Sequence, residues 1–344
     1  MHHRELEFIT SLTVCPSDIQ KISTLIAQSP NLPIDPLKNI LITPLFASKK
    51  SLEIMRSMAE AGRQITFDSG GYYVQTGRIG YDELYLPLLR LYQMHSWAST
   101  YVLPDFVPTS QDTPDVVDYK VRATARTSRL FFDELPDDLK ARAMPVIHGH
   151  TQRQVDICLS TYLSMGAKTL GFGSFGTVGS KSEVNMASQG AIKLAKYVIE
   201  VSHQHGARVH LFGLGVPALA AMLKGIGADS FDSSSWLKAA GFGQVFLPFM
   251  RAHNITYESD ASEIQRGITV PHFEQLRRAT GHECELCRSI ETLRSKKMHR
   301  AVHNLIVLSE TIHQVNHHDI EHIKAIYKVG SQKYQNEVEK WLVS

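Results

Sequence analysis

Through its first 235 residues the chain repeats one unit, a short apolar run followed by a longer amphipathic stretch, at a spacing of roughly 25 to 40 residues. The apolar runs predict strands at Leu6–Thr10, Ile40–Pro44, Gln64–Phe67, Thr100–Leu103, Met144–His148, Thr169–Gly173, Arg208–Phe212 and Asp229–Asp232. The amphipathic stretches predict helices at Lys49–Ala61, Tyr81–His95, Pro114–Leu130, Gln152–Met165, Glu183–His205 and Pro217–Lys224. Gly62, Gly166, Gly206 and Gly225 stand where several of those helices end, as helices prefer. Eight strands that mostly feed helices imply parallel pairing, because parallel neighbours need crossover connections, and closing the ring removes unpaired edges. The expected fold is α/β, a (β/α)8 TIM barrel over residues 1–240, with an open doubly wound sheet as the alternative. Polar residues at the run ends favour the barrel: Asp68-Ser69-Gly70-Gly71, Pro104-Asp105, His148-Gly149-His150, Gly173-Ser174, Gly213-Leu214-Gly215 and Asp232-Ser233 would converge at the C-terminal mouth. After Trp236 the pattern changes to Gly241-Phe242-Gly243, a loop-like stretch through Pro271 and a helical segment from about Ile290. Residues 241–344 are expected to form an appendage packed on the barrel.

Composition excludes several classes. Charged residues make up 20% and hydrophobic ones 43%, the balance of a globular enzyme and not of a disordered or fibrous chain. No run approaches the roughly 20 apolar residues of a membrane span, and Met1-His2-His3-Arg4-Glu5 does not open a secretory signal. Four cysteines, Cys15, Cys158, Cys284 and Cys287, are too few for a disulfide framework. A soluble cytoplasmic protein is the expectation. The formal net charge of +2 steers nothing by itself, although Arg122, Arg126, Arg129, Lys238, Arg277, Arg278, Arg294, Lys296, Lys297 and Arg300 would suffice for a local basic surface.

Three patterns carry chemistry. His282-x-Cys284-x-x-Cys287 gathers three soft or borderline ligands within six residues, and His299 and His303, four apart on one helix face, each offer a fourth. Thiolate and imidazole in that number suit tetrahedral structural zinc. His313, His317, His318 and His322 read as a solvated helix face. The second pattern is a pair of strand-end acids, Asp68 and Asp232, able to divide the work of nucleophile and general acid/base at a glycosidic carbon. Tyr72, just past Gly70-Gly71, offers an aromatic face for a flat ligand. Third come the loops Gly171-x-Gly173-Ser174-x-Gly176 and Gly213-x-Gly215, suited to phosphate or to tight turns, with no dinucleotide fingerprint.

Taken in order, Asp68-Ser69-Gly70-Gly71-Tyr72, Phe212-Gly213-Leu214-Gly215, Phe231-Asp232 and the metal pattern ending at His303-Asn304 resemble the tRNA-guanine transglycosylase superfamily over most of the chain. Its members exchange a guanine in a polynucleotide for a 7-deazaguanine without cutting the backbone. The resemblance implies Asp232 as nucleophile, Asp68 as general acid/base, Tyr72 and Phe212 around the base, and Asp105, His148, Gly173, Ser174 and Gly213 as base-binding positions. It also implies zinc on His282, Cys284, Cys287 and His303. Two residues depart from the family: His282 replaces a cysteine, and His148 stands where a glutamine is usual.

No arginine follows Asp232 before Arg251, whereas the tRNA enzymes carry an arginine-containing segment there, and the chain opens almost directly on the first strand. Together these point to the 7-deazaguanine DNA transglycosylases, with a preQ0-like base entering DNA. The alternatives are the same exchange on tRNA and a catalytically silent nucleic-acid-binding subunit, which the presence of both acids disfavours. Partner proteins or a homodimer are compatible with either polymer.

Overall fold

The computed structural model describes residues 4–29, 31–174, 189–256 and 267–330. Gly176, residues 183–188 of the expected helix Glu183–His205, part of the loop-like stretch before Pro271 and the last fourteen residues lie outside them. Nine parallel strands form one sheet: β1 (Glu7–Ser11), β2 (Asn39–Ile42), β3 (Gln64–Phe67), β4 (Thr100–Val102), β5 (Ala143–Met144), β6 (Val146–Ile147), β7 (Thr169–Phe172), β8 (Arg208–Leu211) and β9 (Ser230–Ser233). Their order is β5-β4-β3-β2-β1-β9-β8-β7-β6, so the two end strands are neighbours in sequence, separated by Pro145 alone. The sheet is thus a nearly closed barrel. The expected strand Met144–His148 is divided because proline has no N–H for the ladder, yet the Pro145 carbonyl still accepts from Gly171 N at 2.9 Å.

The helices are α1 (Pro16–Ala27), α2 (Lys49–Glu60), α3 (Gly71–Gln75), α4 (Tyr81–Met94), α5 (Pro114–Glu134), α6 (Asp137–Lys140), α7 (Gln152–Ser164), α8 (Gln189–Gln204), α9 (Ala220–Gly225), α10 (Ser235–Gly241), α11 (Val270–Ala279), α12 (Ile290–Ser295), α13 (Lys297–His317) and α14 (Ile320–Gly330). Five of them, α1, α3, α6, α10 and α11, occupy stretches where the sequence pattern assigns no helix, and two of the five have a proline in the first turn. α1 begins at Pro16 and buries Ile19 and Ile22, while α11 places Pro271 in its first turn behind the N-cap Thr269. A proline there loses no hydrogen bond, since the first-turn N–H groups have no intrahelical acceptor. Prolines that look like breakers act here as initiators. None of the described helices is long and apolar enough to cross a membrane.

The C-terminal segment is bound into the barrel wall. A two-stranded antiparallel ribbon, β10 (Gln244–Val245) with β11 (His253–Asn254), follows α10, and α13 packs against α1, α9, α10 and β1. At one end of α13, Asn316 accepts from Leu6 N at 3.0 Å and donates to Leu6 O at 2.9 Å, holding the edge of β1. Nearer its start, the buried Asn304 accepts from Phe246 N at 2.7 Å and donates to Trp236 O at 3.2 Å and Gln244 O at 3.0 Å. One side chain thereby satisfies three backbone groups of a loop with few ladder bonds of its own.

Replacing Asn304 with alanine leaves those groups buried and unpaired. Each such group costs on the order of 1–3 kcal/mol, so Asn304→Ala is expected to lower stability by at least about 2 kcal/mol in urea denaturation. A loss under about 0.5 kcal/mol would show that water replaces the amide.

Candidate active site and metal centre

A strand presents every second side chain to the same face. Register pairs run Val146 to Gly171, Gly171 to His210 and His210 to Ser230 across β6–β9, so these four share the inner face. Two residues further along the chain come His148, Gly173, Phe212 and Asp232, one layer nearer the C-terminal mouth. Asp68 follows Thr66, and Ser11 follows Ile9, in the same way. Val102, Met144 and Val146, with Phe212 packed on them, form a small apolar cluster apart from the main core. The mouth layer rests on it.

Glycines admit this crowding. A Cβ on Gly71 would lie 2.5 Å from Asp105 Oδ1, and one on Gly173 would lie 2.6 Å from His148 Cε1. Gly70, at φ 92°, turns the chain from β3 into α3 in a conformation that side-chain-bearing residues rarely adopt.

The three carboxylates have different surroundings. Asp232, buried, accepts from Ser11 Oγ at 2.5 Å and from Gly213 N at 2.7 Å, and His210 Nε2 stands 3.4 Å from its Oδ1. Burial pushes its pKa up, but His210, the Ser11 hydroxyl and the Gly213 N–H outweigh that and hold it below the usual carboxylate range. Asp68 is raised to about 7, first by burial and then by the charge of Asp105, with Asp232 adding to both; the Thr43 hydroxyl and Gly70 N–H, at 3.0 and 3.3 Å from Oδ2, oppose the shift.

Asp105, also buried, accepts from Ser69 Oγ at 2.5 Å on one oxygen, and its other oxygen lies 2.8 Å from His148 Nε2. Ser174 Oγ receives the Gly149 N–H at 2.9 Å and lies 3.2 Å from His148 Nδ1. With a carboxylate on one side and a hydroxyl on the other, the consistent tautomer carries its proton on Nε2. At the rim, the half-exposed Tyr72 ring has Lys238 Nζ at 5.8 Å from its centre, and Phe212 meets His210 edge to face.

The second cluster lies on the C-terminal segment. Ligand atoms of His282, Cys284, Cys287 and His303, all buried, stand within 4.8 Å of one another and offer one metal ion four donors. The imidazoles are prepared for it by opposite nitrogens. His303 Nε2 is 3.1 Å from Phe246 O, which can only accept, so the proton is on Nε2 and the Nδ1 lone pair faces Cys284 Sγ at 3.4 Å. His282 Nδ1 is 2.5 Å from Glu310 Oε2, leaving Nε2 buried with no hydrogen-bond partner. A buried orphan acceptor beside two thiols fits a metal ligand. His299 is not in the cluster.

Ser11, Thr43, His210 and Glu310 belong to these sites without having been singled out in the sequence, and Ser69, read there only as part of a motif, holds Asp105. Glu310 lies seven residues after His303, two helical turns on the same face, and His210 precedes Phe212 by the strand period; both were legible from spacing. Arg300 leaves the proposed basic surface: it is buried, with its guanidinium spent on the carbonyls of Ala240, Leu293 and Arg294. Arg129, Arg277 and Arg294 pair with Asp133, Glu274 and Glu291.

No protein-family model matches the chain, and no curated protein matches it either.

Two outcomes follow. The folded Asp68 keeps its proton up to a pH of about 7, whereas the unfolded chain releases it near 4. Stability is therefore lost as pH rises through that window. Asp68→Asn removes the loss, so the variant is expected to match the parent in urea denaturation at pH 4 and to exceed it at pH 8. At the metal centre, Glu310→Gln should weaken metal binding about 10- to 100-fold in chelator competition, because the carboxylate fixes the His282 tautomer.

Proposed function

We propose that this chain is a base-exchange transglycosylase that replaces guanine in DNA with a 7-deazaguanine of the preQ0 kind, through a covalent link to Asp232. The observation that carries the reading is the split between the two acids at one barrel mouth: Asp232 is held ionised and Asp68 titrates at about 7. Paired acids with separated protonation are what a double displacement at a glycosidic carbon uses. The fold is read as a (β/α)8 barrel, with β5 and β6 counted as one strand interrupted at Pro145.

In the first displacement a carboxylate oxygen of Asp232 bonds to C1′ as the bond from C1′ to guanine N9 breaks, and Asp68 gives its proton to the departing base. In the second, Asp68 takes the N9 proton of the incoming base, N9 bonds to C1′, and Asp232 is released as carboxylate with net retention. Both donors to Asp68 reach Oδ2, so the proton it passes sits on Oδ1. Asp105 retains lone pairs for the base N–H groups after Ser69 and His148 are counted. His148 has both nitrogens engaged within the protein, which leaves the base carbonyl to the Gly173-Ser174 backbone. Tyr72 and Phe212 flank the base. A nucleotide must leave the stack to reach this depth.

The metal is read as structural zinc, because two thiolates and two imidazoles fill a tetrahedral site with no open position. It stabilises the C-terminal segment and takes no part in the exchange. The exposed Arg122, Arg126, Arg278, Lys238, Lys296 and Lys297 are available to phosphates. The reduced cysteines accord with a cytoplasmic setting.

Incubating the protein with labelled guanine and, separately, duplex DNA, single-stranded DNA or tRNA tests the reading. Label should enter DNA; label entering tRNA alone would move the substrate, and label entering none would remove the function. Asp232→Ala is expected to abolish both exchange and the denaturation-resistant adduct. Asp68→Asn should slow exchange by about 100-fold or more. Purified protein should carry about one equivalent of zinc, and a value below about half, or one unchanged by Cys284→Ser with Cys287→Ser, would sink the zinc assignment.

A further inference from the structure

His210 has no part in the exchange as described, yet it sits one layer beneath the mouth, 1% exposed, with its ring edge-on to Phe212. Its Nδ1 is 2.9 Å from Ser230 Oγ. Its Nε2 has no hydrogen-bond partner and stands 3.4 Å from Asp232 Oδ1, off the line that a hydrogen bond needs. A phenylalanine or leucine would fill the same space without burying an unpaired nitrogen. The surroundings give that nitrogen one charged neighbour. Across the register on β7 stands Gly171, and Ile9 on β1 pairs with Asp232, so neither brings charge. The charged residues at the far ends of these strands are paired with one another, Arg208 with Glu7 at 3.1 Å and with Asp229 at 3.8 Å. Across the mouth, the charge of Asp232 is felt by Asp68.

We propose that His210 is a positioning residue for Asp232: Ser230 donates to Nδ1, which fixes the proton on Nε2 and turns that N–H toward Oδ1, and the contact holds the carboxylate charged and aimed into the mouth. The proposal rests on the reading of Asp232 as nucleophile. The Ser11 and Gly213 donors grip one oxygen each from the rim side, and His210 supplies the third contact from below. As the ester forms, that oxygen loses charge and the contact slackens; when Asp232 leaves again, the N–H meets the returning charge. Positive potential beneath the nucleophile therefore assists the second displacement more than the first.

Two measurements on the whole protein decide it without using activity. Nitrogen-15 spectra of the imidazoles should show His210 as the Nε2–H tautomer; a neutral ring protonated on Nδ1, with bare Nε2 toward the carboxylate, would overturn the proposal. Carbon-13 titration of the Asp232 carboxyl, assigned by its loss in Asp232→Asn, should move up by about one pH unit in His210→Phe and return most of the way in His210→Gln, which keeps an N–H. If the phenylalanine variant does not fold, Ser230→Ala, which frees Nδ1 and leaves the ring in place, should give a smaller rise in the same direction. An unmoved midpoint in the folded variants overturns it. In exchange assays the acid limb of kcat/KM should shift with the carboxyl midpoint while KM stays within about twofold. Exchange by the wild type with an unmoved midpoint would leave the reaction standing and remove His210. No exchange by the wild type would remove the reaction, and the carboxyl titration would then judge His210 alone.

Discussion

The inner face of a closed parallel sheet accepts every second residue, and that constraint fixes most of what happens at the mouth. Once Val146, Gly171, His210 and Ser230 are in register, His148, Gly173, Phe212 and Asp232 have no choice of layer. A slip of one residue in β9 would turn Asp232 out toward the helices and bring Phe231 in, against the ring contact that Phe231 makes with Phe8 at 5.4 Å on the outer side. The hydrophobic core that holds the register thus also aims the acids. Geometry at the site is inherited from packing elsewhere.

Charge is then distributed unevenly over that layer. Asp105 takes one contact on each oxygen, from Ser69 and His148, Asp232 accepts from Ser11 and Gly213 with His210 Nε2 3.4 Å away, and Asp68 receives longer bonds to a single oxygen. Three carboxylates in one low-dielectric mouth cannot all ionise easily, so the least supported one keeps its proton. That one is Asp68. The number of donors a loop can bring to each acid therefore decides which keeps its proton.

Much of this was legible in the chain. Polar residues at the ends of apolar runs marked the mouth, and His-x-Cys-x-x-Cys marked the metal cluster, because both depend on short-range spacing. What was hidden depends on long-range register: Ser11 sits one residue beyond the expected strand end, and its value comes from Asp232, 221 residues away. The helices that start at Pro16 and around Pro271 went unassigned, since proline signals a break and a beginning with the same letter. The division of one strand at Pro145 was visible as a proline but not as an interruption between paired neighbours.

His303 and Asn304 are adjacent on α13, and both reach Phe246: the histidine through its carbonyl, the asparagine through its N–H. One residue thus turns toward the metal cluster while the next staples the chain between α10 and β10. A metal ion held by His282, Cys284, Cys287 and His303 would be tied through His303 to the carbonyl of Phe246, whose N–H Asn304 holds. α13 also reaches the start of β1 through Asn316 and Leu6. β1 ends at Ser11, the donor on Asp232. The His/Cys cluster and the mouth are therefore connected through one helix and one strand, so an ion bound at the first would anchor the same helix that holds the strand carrying Ser11.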